Sequence, residues 1–265
     1  MSRSAAPLLA RPEVLQVLFH PRAEPRMTRI DDTAHAVTIT ADDGTRLGGK
    51  VFVASATAPA ILYFHGNGEI AADYDGLSSI YNQLGMTLFV ADYRGYGASE
   101  GWPDGPSLLA DARATWAQTP GILEGLGLAP ASLHVMGRSL GSAAALEILA
   151  TAETPPDGLI IESGFAHTLA LIERLGGFRI SGAEEARDGF GNLDKIARAK
   201  VPTVIIHGTE DWIIPVDDGR ALHQAAAGAP KRLVEIPGAG HNDLMMVDQR
   251  SYFLAVRNLV VAGSV

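Results

Sequence analysis

Residues 137–141 read Gly137-Arg138-Ser139-Leu140-Gly141, which is the pattern G-x-S-x-G. A short, mostly apolar run precedes this stretch, and an alanine-rich run of helix formers follows it. A strand, a sharp turn and a helix in that order are typical of a nucleophile elbow, which lifts a serine hydroxyl clear of a sheet. Side chains at the two glycine positions would clash in so sharp a turn. The positive end of the following helix would favour an anionic intermediate beside the serine.

Outward from the elbow, apolar runs that predict strands alternate with runs that predict helices. Most of these strands are continuous apolar runs, as expected for parallel strands buried on both faces. Asp42-Asp43-Gly44 separates the first two strands, and D-G between β-rich runs predicts a hairpin. We therefore predict an α/β fold, with a mostly parallel eight-stranded sheet, helices on both faces and an N-terminal antiparallel hairpin. The predicted strands are 36–40, 47–53, 60–64, 87–91, 132–136, 158–162, 202–206 and 231–236. The predicted helices are 69–84, 106–118, 139–151, 166–175, about 216–227 and one after 241.

No linker or repeat interrupts this pattern, which predicts a single domain over residues 31–265. Residues 1–30, which are rich in proline and arginine, are expected to form an extended arm that packs on this domain. Residues 164–200 contain a weak helix and a glycine- and charge-rich stretch. This is the one place in the sequence for a cap over an active site, and the cap would be small.

Composition limits the classes of partner. The chain has 265 residues, of which 47% are hydrophobic, enough for a full core without disulfides or metals. A net charge of −9 argues against nucleic acid or an anionic membrane surface as the main partner. The lack of cysteine excludes a catalytic thiol and cysteine-bound zinc. No apolar run is long enough for a signal peptide or a membrane span, so we expect a cytoplasmic protein without stable membrane insertion. The sequence leaves the oligomeric state open.

A serine nucleophile needs a base and a carboxylate that orients the base, and after such an elbow the chain order is serine, acid, histidine. Asp211 follows the predicted strand 202–206, and His241 follows the predicted strand 231–236. Both therefore arrive at carboxyl ends of strands, where open α/β sheets form their sites. Glu210 competes with Asp211 for the acid role. Asp243 is a weaker rival, because it lies too near His241 in sequence.

The negative charge that develops on the substrate needs two backbone N–H donors, an oxyanion hole. Leu140, directly after the serine, is expected to supply one. The other is expected from the loop after the first parallel strand, which reads His65-Gly66-Asn67-Gly68, where Asn67 has the fitting position.

Five motifs in order together resemble the α/β-hydrolase superfamily, over roughly residues 35–260. Besides the elbow and the loop at 65–68, they are 92–99, 207–211 and 240–241. The similarity is greatest to the small, nearly capless members related to serine-aminopeptidase-like and monoacylglycerol-lipase-like hydrolases. The resemblance implies acyl transfer by Ser139, His241 and Asp211. It also favours Asp211 over Glu210.

Other residues have plainer interpretations. Ser139 could be an ordinary helix N-cap, and Ser142 is expected to pack or to bond back to the turn. His65 and His207 are expected to be structural. Asp92 and Arg94 are expected to tie loops together by charge-assisted hydrogen bonds. No spacing of carboxylates and histidines suggests a metal, so neither a metal nor a cofactor is predicted. Candidate pocket residues, which could equally be core, are Phe165, Leu169, Phe178, Phe190, Trp212 and Ile213.

The first hypothesis is a serine carboxylesterase that acts on a small ester through an acyl-enzyme. A preference for short chains is expected, with tolerance of thioesters or polyester ends. An aminopeptidase or amidase is the alternative within the same class, and it would need an acidic pocket for a free amino group. The segment 164–200 offers acidic candidates for that pocket, which are Glu173, Glu184, Glu185 and Asp188. A slow, receptor-like hydrolase is the third hypothesis.

Overall fold

The computed structural model describes residues 7–24, 33–198, 200–228 and 230–265. It contains one sheet of eight strands in the order β1-β2-β4-β3-β5-β6-β7-β8. The strands are β1 Ala34–Thr40, β2 Arg46–Phe52, β3 Ala60–Phe64, β4 Thr87–Ala91, β5 Leu133–Arg138, β6 Leu159–Glu162, β7 Thr203–Gly208 and β8 Lys231–Ile236. β1 and β2 pair antiparallel as a hairpin, β2 pairs antiparallel with β4, and all other pairs are parallel. The predicted fold class is confirmed.

Helices cover both faces of the sheet. The helices are α1 Pro12–Leu18, α2 Ser78–Gln83, α3 Gly105–Gly125, α4 Gly141–Thr151, α5 Thr168–Gly176, α6 Glu185–Asp188, α7 Asn192–Ile196, α8 Val216–Ala225, α9 Leu244–Val247 and α10 Gln249–Val260. Strand β3 shows how the core is divided. Leu62 and Phe64 pack in the cluster with α3, α4 and α8, whereas Ile61 and Tyr63 pack in the cluster with α2 and α10. Alternate side chains of a strand point to opposite faces, so one apolar run supplies both layers.

Three predicted helices differ from the structure, and one of them, the terminal helix after 241, is divided at Asp248 into α9 and α10. The single helix expected over 69–84 is wrong, because the chain forms a 3₁₀ turn at Ala71–Tyr74 and then α2. Gly76, a poor helix former, separates them, and the Asp92 carboxylate takes the N–H of Ala71 at 2.7 Å. Helix α3 runs past the predicted end at 118 despite Pro120, since Leu123 on its buried face is only 1% exposed.

The predicted arm is described only in part, because residues 1–6 and 25–30 lie outside the described residues, as does position 31, where the predicted domain begins. Within 7–24 the chain is not extended throughout, since it contains a 3₁₀ turn at Leu8–Ala10 and the helix α1. The predicted cap segment 164–200, in which residue 199 is also outside the described part, contains α5, α6 and α7. In the part of the chain that the structure describes, no helix is long and apolar enough to cross a membrane.

Candidate active site

The turn at residues 137–141 joins β5 directly to α4. Ser139 has a φ of 52°, a left-handed backbone conformation that is unusual for a residue with a side chain. A Cβ on Gly137 would overlap the carbonyl oxygen of Gly141, and a Cβ on Gly141 would overlap the carbonyl oxygen of Phe64. Both glycines are therefore required by close backbone contacts. Strain of this kind is typical of functional positions.

Three side chains from three strand ends meet at this turn. The hydroxyl Oγ of Ser139 lies 2.9 Å from Nε2 of His241, and Nδ1 of His241 lies 2.7 Å from Oδ2 of Asp211. All three residues are buried, Ser139 being 8% exposed. The structure thus brings together the serine, base and acid that the sequence predicts. The distances are within the reach that proton transfer and hydrogen bonding require.

Asp211 is held as a charged carboxylate. Its Oδ1 accepts the backbone N–H groups of Ile213 at 2.9 Å and Ile214 at 2.8 Å. Burial alone would raise the pKa of Asp211, but hydrogen bonds from His207 and His241 and from the Ile214 N–H lower that pKa below its ordinary value. The carboxylate therefore stays ionised beside His241, where it can orient the ring and stabilise an imidazolium.

The rival residues have other places in the structure. Glu210 is exposed, although it precedes Asp211. Asp243 accepts the backbone N–H of Gly240 at 2.7 Å and so shapes the loop that carries His241. Ser142 donates its hydroxyl to the carbonyl oxygen of Ser139 at 2.6 Å, which is the bond back to the turn that the sequence predicts.

Asn67 and Leu140, the predicted oxyanion donors, both line the cavity at Ser139. Among the described residues, neither backbone N–H has an intramolecular acceptor. The Asn67 side chain is fully engaged, since its Oδ1 accepts from the Tyr96 hydroxyl at 2.7 Å and from the His20 N–H at 2.8 Å. Its Nδ2 donates to Nδ1 of His20 at 2.7 Å. These contacts hold the Asn67 side chain against His20 and Tyr96.

Arg138 forms a buried ionic network that sequence reasoning missed. Its guanidinium pairs with Glu69 and with Glu162, the latter at 3.0 Å, and donates to the carbonyl oxygen of His241 at 2.9 Å and to Asn242 Oδ1 at 2.8 Å. Burial would lower the pKa of Arg138, but Glu162 and Glu69 raise it above its ordinary value. The network therefore ties the elbow to the loop that carries His241. The signal in the sequence was a charged residue inside an otherwise apolar strand and turn.

A cavity of about 370 Å³ opens at Ser139. Of the six candidate pocket residues only Ile213 lines it, and the other five lie outside the lining. Phe165 and Phe190 are core, with ring centroids 5.9 Å apart, and Trp212 is 83% exposed. Leu169 and Phe178 are half-buried outside the lining. The cavity is lined by Gln16, Val17, Leu18, His20, Asn67, Glu69, Arg138, Ser139, Leu140, Leu171, Leu175, Ile213, His241 and Asn242.

The histidines and the loop at 92–99 have the structural roles that the sequence predicts. His65 contacts the carbonyl oxygen of Gly66 at 2.8 Å, and His207 contacts the carbonyl oxygen of Ile214 at 2.8 Å. Arg94 bridges the carboxylates of Asp43 and Asp111, each at 2.7 Å. These contacts fix the loops that surround the cavity.

An eight-stranded sheet of this order, with a serine on a strand–turn–helix elbow at its carboxyl edge, defines the class of α/β hydrolases. A family model described as "Serine aminopeptidase, S33" matches residues 55–172. The protein Rv2307c of Mycobacterium tuberculosis, described as uncharacterized, is 30% identical over 254 residues, which cover 94% of this chain and 88% of that protein. The chain therefore belongs to the α/β-hydrolase superfamily.

Other similar proteins agree with this assignment. Human alpha/beta hydrolase domain-containing protein 17B is 31% identical over 197 residues, or 71% of this chain and 62% of that protein. The solved esterase Pf2001 of Pyrococcus furiosus superposes with a TM-score of 0.69 at 16% identity, covering 91% of this chain and 96% of that one. An esterase of Pyrobaculum calidifontis gives a TM-score of 0.68 at 16% identity, covering 88% of this chain and 87% of that one. At such identity the two structures show a shared fold.

Proposed function

We propose that this protein is a serine carboxylesterase that cleaves carboxylic esters through an acyl-enzyme intermediate. The observation that carries the proposal is the chain of contacts from Ser139 to His241 at 2.9 Å and from His241 to Asp211 at 2.7 Å. These three side chains lie at a cavity large enough for a small ester. The esterases among the structural neighbours support the same reaction class.

The proposed reaction has two steps. Ser139 Oγ attacks the ester carbonyl carbon while its proton passes to Nε2 of His241, and the N–H groups of Asn67 and Leu140 hold the oxyanion. The bond to the alcohol breaks as His241 returns that proton to the leaving oxygen. Water then gives a proton to His241 and attacks the carbonyl carbon of the acyl-enzyme. The bond from that carbon to Ser139 Oγ breaks as His241 passes its proton to Oγ, which releases the carboxylic acid and restores the Ser139 hydroxyl. Asp211 stabilises the charged imidazolium in both steps.

The charge distribution in the cavity favours an ester over a peptide with a free amino group. Glu69 is the acidic residue among the described residues that line the cavity, and it is already paired with Arg138. The four acidic candidates in the segment 164–200 do not line the cavity and have other partners, Glu184 and Asp188 being paired with Arg187. Glu185 accepts the N–H groups of Thr168 and Leu169, and Glu173 accepts that of Ile180. A free ammonium group would therefore lack an available carboxylate.

The direct test is hydrolysis of nitrophenyl esters from acetyl to palmitoyl by the wild type and by Ser139→Ala. We expect turnover that is greatest for short chains, and a loss of kcat by a factor on the order of 10⁶ in the variant. Ser181→Ala, which removes an exposed serine, is the matched control and should keep wild-type turnover. Turnover by a folded Ser139→Ala protein would contradict the proposal.

An aminopeptidase is the second candidate, because the matching family model carries that description. Hydrolysis of an aminoacyl nitroanilide is the comparison to make. A kcat/KM for the anilide above that for nitrophenyl acetate would favour the aminopeptidase, whereas the engaged carboxylates predict the reverse.

A further inference from the structure

The N-terminal segment, defined as residues 7–24, is firmly packed against the domain. Val14, Leu18 and Phe19 are 1%, 2% and 5% exposed and belong to the main apolar core cluster. The 3₁₀ turn before α1 packs on the start of α3, where a Cβ on Gly105 would overlap the side chain of Leu9. Apolar burial on this scale fixes the segment in place.

Polar contacts at the end of the segment fix its register. The N–H of Gly97 donates to the carbonyl oxygen of Arg22 at 2.9 Å, and the N–H of Glu24 donates to the carbonyl oxygen of Gly97 at 2.8 Å. Arg22 pairs with Asp73, and Lys50, itself buried, lies 3.4 Å from the Glu24 carboxylate. The segment is thus attached to the loops at the carboxyl edge of the sheet.

The segment forms one wall of the cavity at Ser139. Gln16, Val17, Leu18 and His20 line that cavity. Helix α1 packs against α5, which contributes Leu171 and Leu175 to the same cavity, and these two helices supply most of its apolar lining. Glu69, Arg138 and Asn242 make the lining polar elsewhere. An apolar acyl chain gains free energy against apolar surface, and most of that surface is on the α1–α5 side.

The same segment also holds the loop that carries Asn67. The backbone N–H of His20 donates to Asn67 Oδ1 at 2.8 Å and to the Tyr96 hydroxyl at 2.7 Å, and its ring Nδ1 accepts from Asn67 Nδ2 at 2.7 Å. Tyr96 is fully buried in the main core cluster, and its hydroxyl donates to Asn67 Oδ1 from there. Asn67 therefore has its side chain fixed by contacts outside its own loop, and its backbone orientation is fixed with it.

We propose that the N-terminal segment completes the active site, with Val17 limiting the acyl chain and His20 positioning Asn67 as an oxyanion donor. The inference rests on the proposed function, because it assigns an acyl group and an oxyanion to the cavity. His20 is a positioning residue that acts through Asn67. The substrate class that follows is an ester of a short or medium apolar acid, whose chain lies between α1 and α5.

The wall is tested with Val17→Trp, which narrows the cavity from α1. Glu13→Trp is the matched control, because Glu13 is exposed on the same helix and outside the cavity lining. For Val17→Trp we expect kcat/KM for nitrophenyl octanoate to fall by roughly tenfold or more, with nitrophenyl acetate within about twofold of wild type. Equal losses for both esters, or an unchanged profile, would overturn this assignment.

The positioning role is tested with His20→Ala and His20→Asn. We expect His20→Ala to lower kcat for nitrophenyl acetate by roughly tenfold, less than the roughly 10²–10³ for outright loss of an oxyanion donor, with KM nearly unchanged. His20→Asn should restore most of kcat, since the Asn amide oxygen stands as many bonds from the backbone as Nδ1. His223→Ala on α8 is the control and should resemble wild type. Wild-type kcat in His20→Ala, or no rescue by Asn, would overturn the positioning role.

Ser139→Ala measured in the same assays separates the two levels of proposal. If Ser139→Ala abolishes turnover while the Val17 and His20 variants match wild type, this inference is wrong and the proposed function stands. If Ser139→Ala keeps turnover, the proposed function is wrong and the inference falls with it. We expect Val17→Trp to lose kcat/KM for the longer acyl chain and His20→Ala to lose kcat.

Discussion

The three turns that carry Ser139, Asp211 and His241 differ from the N-terminal segment in how their geometry is fixed. Each turn directly follows a parallel strand, so a few residues of local sequence decide where its side chain lies. The N-terminal segment precedes the sheet in sequence and reaches the same cavity by packing on α3 and α5. The comparison teaches that the proposed chemistry is specified by local motifs, whereas the shape of the cavity depends on contacts between distant parts of the chain.

The largest expected effect is on kcat, and it should leave the acyl-chain preference that the cavity sets unchanged. Asp211→Asn should lower kcat by a factor on the order of 10⁴, because an amide cannot hold the same tautomer of His241. The acyl-chain profile of the remaining activity should match wild type, since Asp211 does not line the cavity. Steady-state kinetics on the nitrophenyl ester series measures both. If the acyl-chain profile changed together with kcat, the three turns and the N-terminal segment would not have the separate roles described above.

Arg138→Ala tests how strongly the elbow is tied to the loop that carries His241. Removing a partner from a buried ionic network leaves Glu69 and Glu162 uncompensated, and we expect a loss of about 3–5 kcal/mol in the free energy of unfolding. Urea denaturation measures this loss. Arg220→Ala, which breaks ion pairs of a half-exposed arginine with Glu235 and Asp217, is the control and should change stability little. Similar losses in both variants would contradict a special role for the buried network.

Leu18→Ala tests whether the N-terminal segment is an integral part of the core. Leu18 is 2% exposed, so truncation should cost about 2–5 kcal/mol of unfolding free energy through lost burial and a residual cavity. Urea denaturation should still show one transition. A Leu18→Ala variant with wild-type stability would indicate that the N-terminal segment contributes little to the folded core.

The strand that leads into the elbow provides a pH test. Burial lowers the pKa of His134 in β5 to about 4, below the ordinary value of about 6.5 that the unfolded chain has. Between these values the unfolded state binds more protons, so the free energy of unfolding falls as pH decreases, by up to about 3 kcal/mol. His134→Gln should remove this part of the pH dependence, whereas His223→Gln should keep it. Equal slopes for wild type and His134→Gln between pH 4 and 6.5 would contradict a neutral buried His134.

Much of the sheet and the meeting of the three side chains could be predicted, because both follow from local patterns. Apolar runs mark the strands, and the positions after β5, β7 and β8 mark the serine, acid and histidine. The cavity wall could not be predicted in this way, since Val17 and Leu171 become neighbours of one cavity only through tertiary packing. The i, i+4 spacing of Val14 and Leu18 after Pro12 was the available signal for α1. The partners of Arg138 could not be predicted either, because Glu69, Glu162 and His241 lie far from Arg138 and from one another in sequence.

Trapping the acyl-enzyme tests the central claim most directly. The protein is mixed with nitrophenyl acetate, quenched in acid during turnover, digested and examined by fragment mass spectrometry, with Ser139→Ala treated in parallel. We expect one acetyl group on Ser139, which the peptide fragments distinguish from the nearby Ser142, and none on the variant. An acetyl group on another residue, or steady turnover in the variant, would contradict the assignment of Ser139 as the nucleophile.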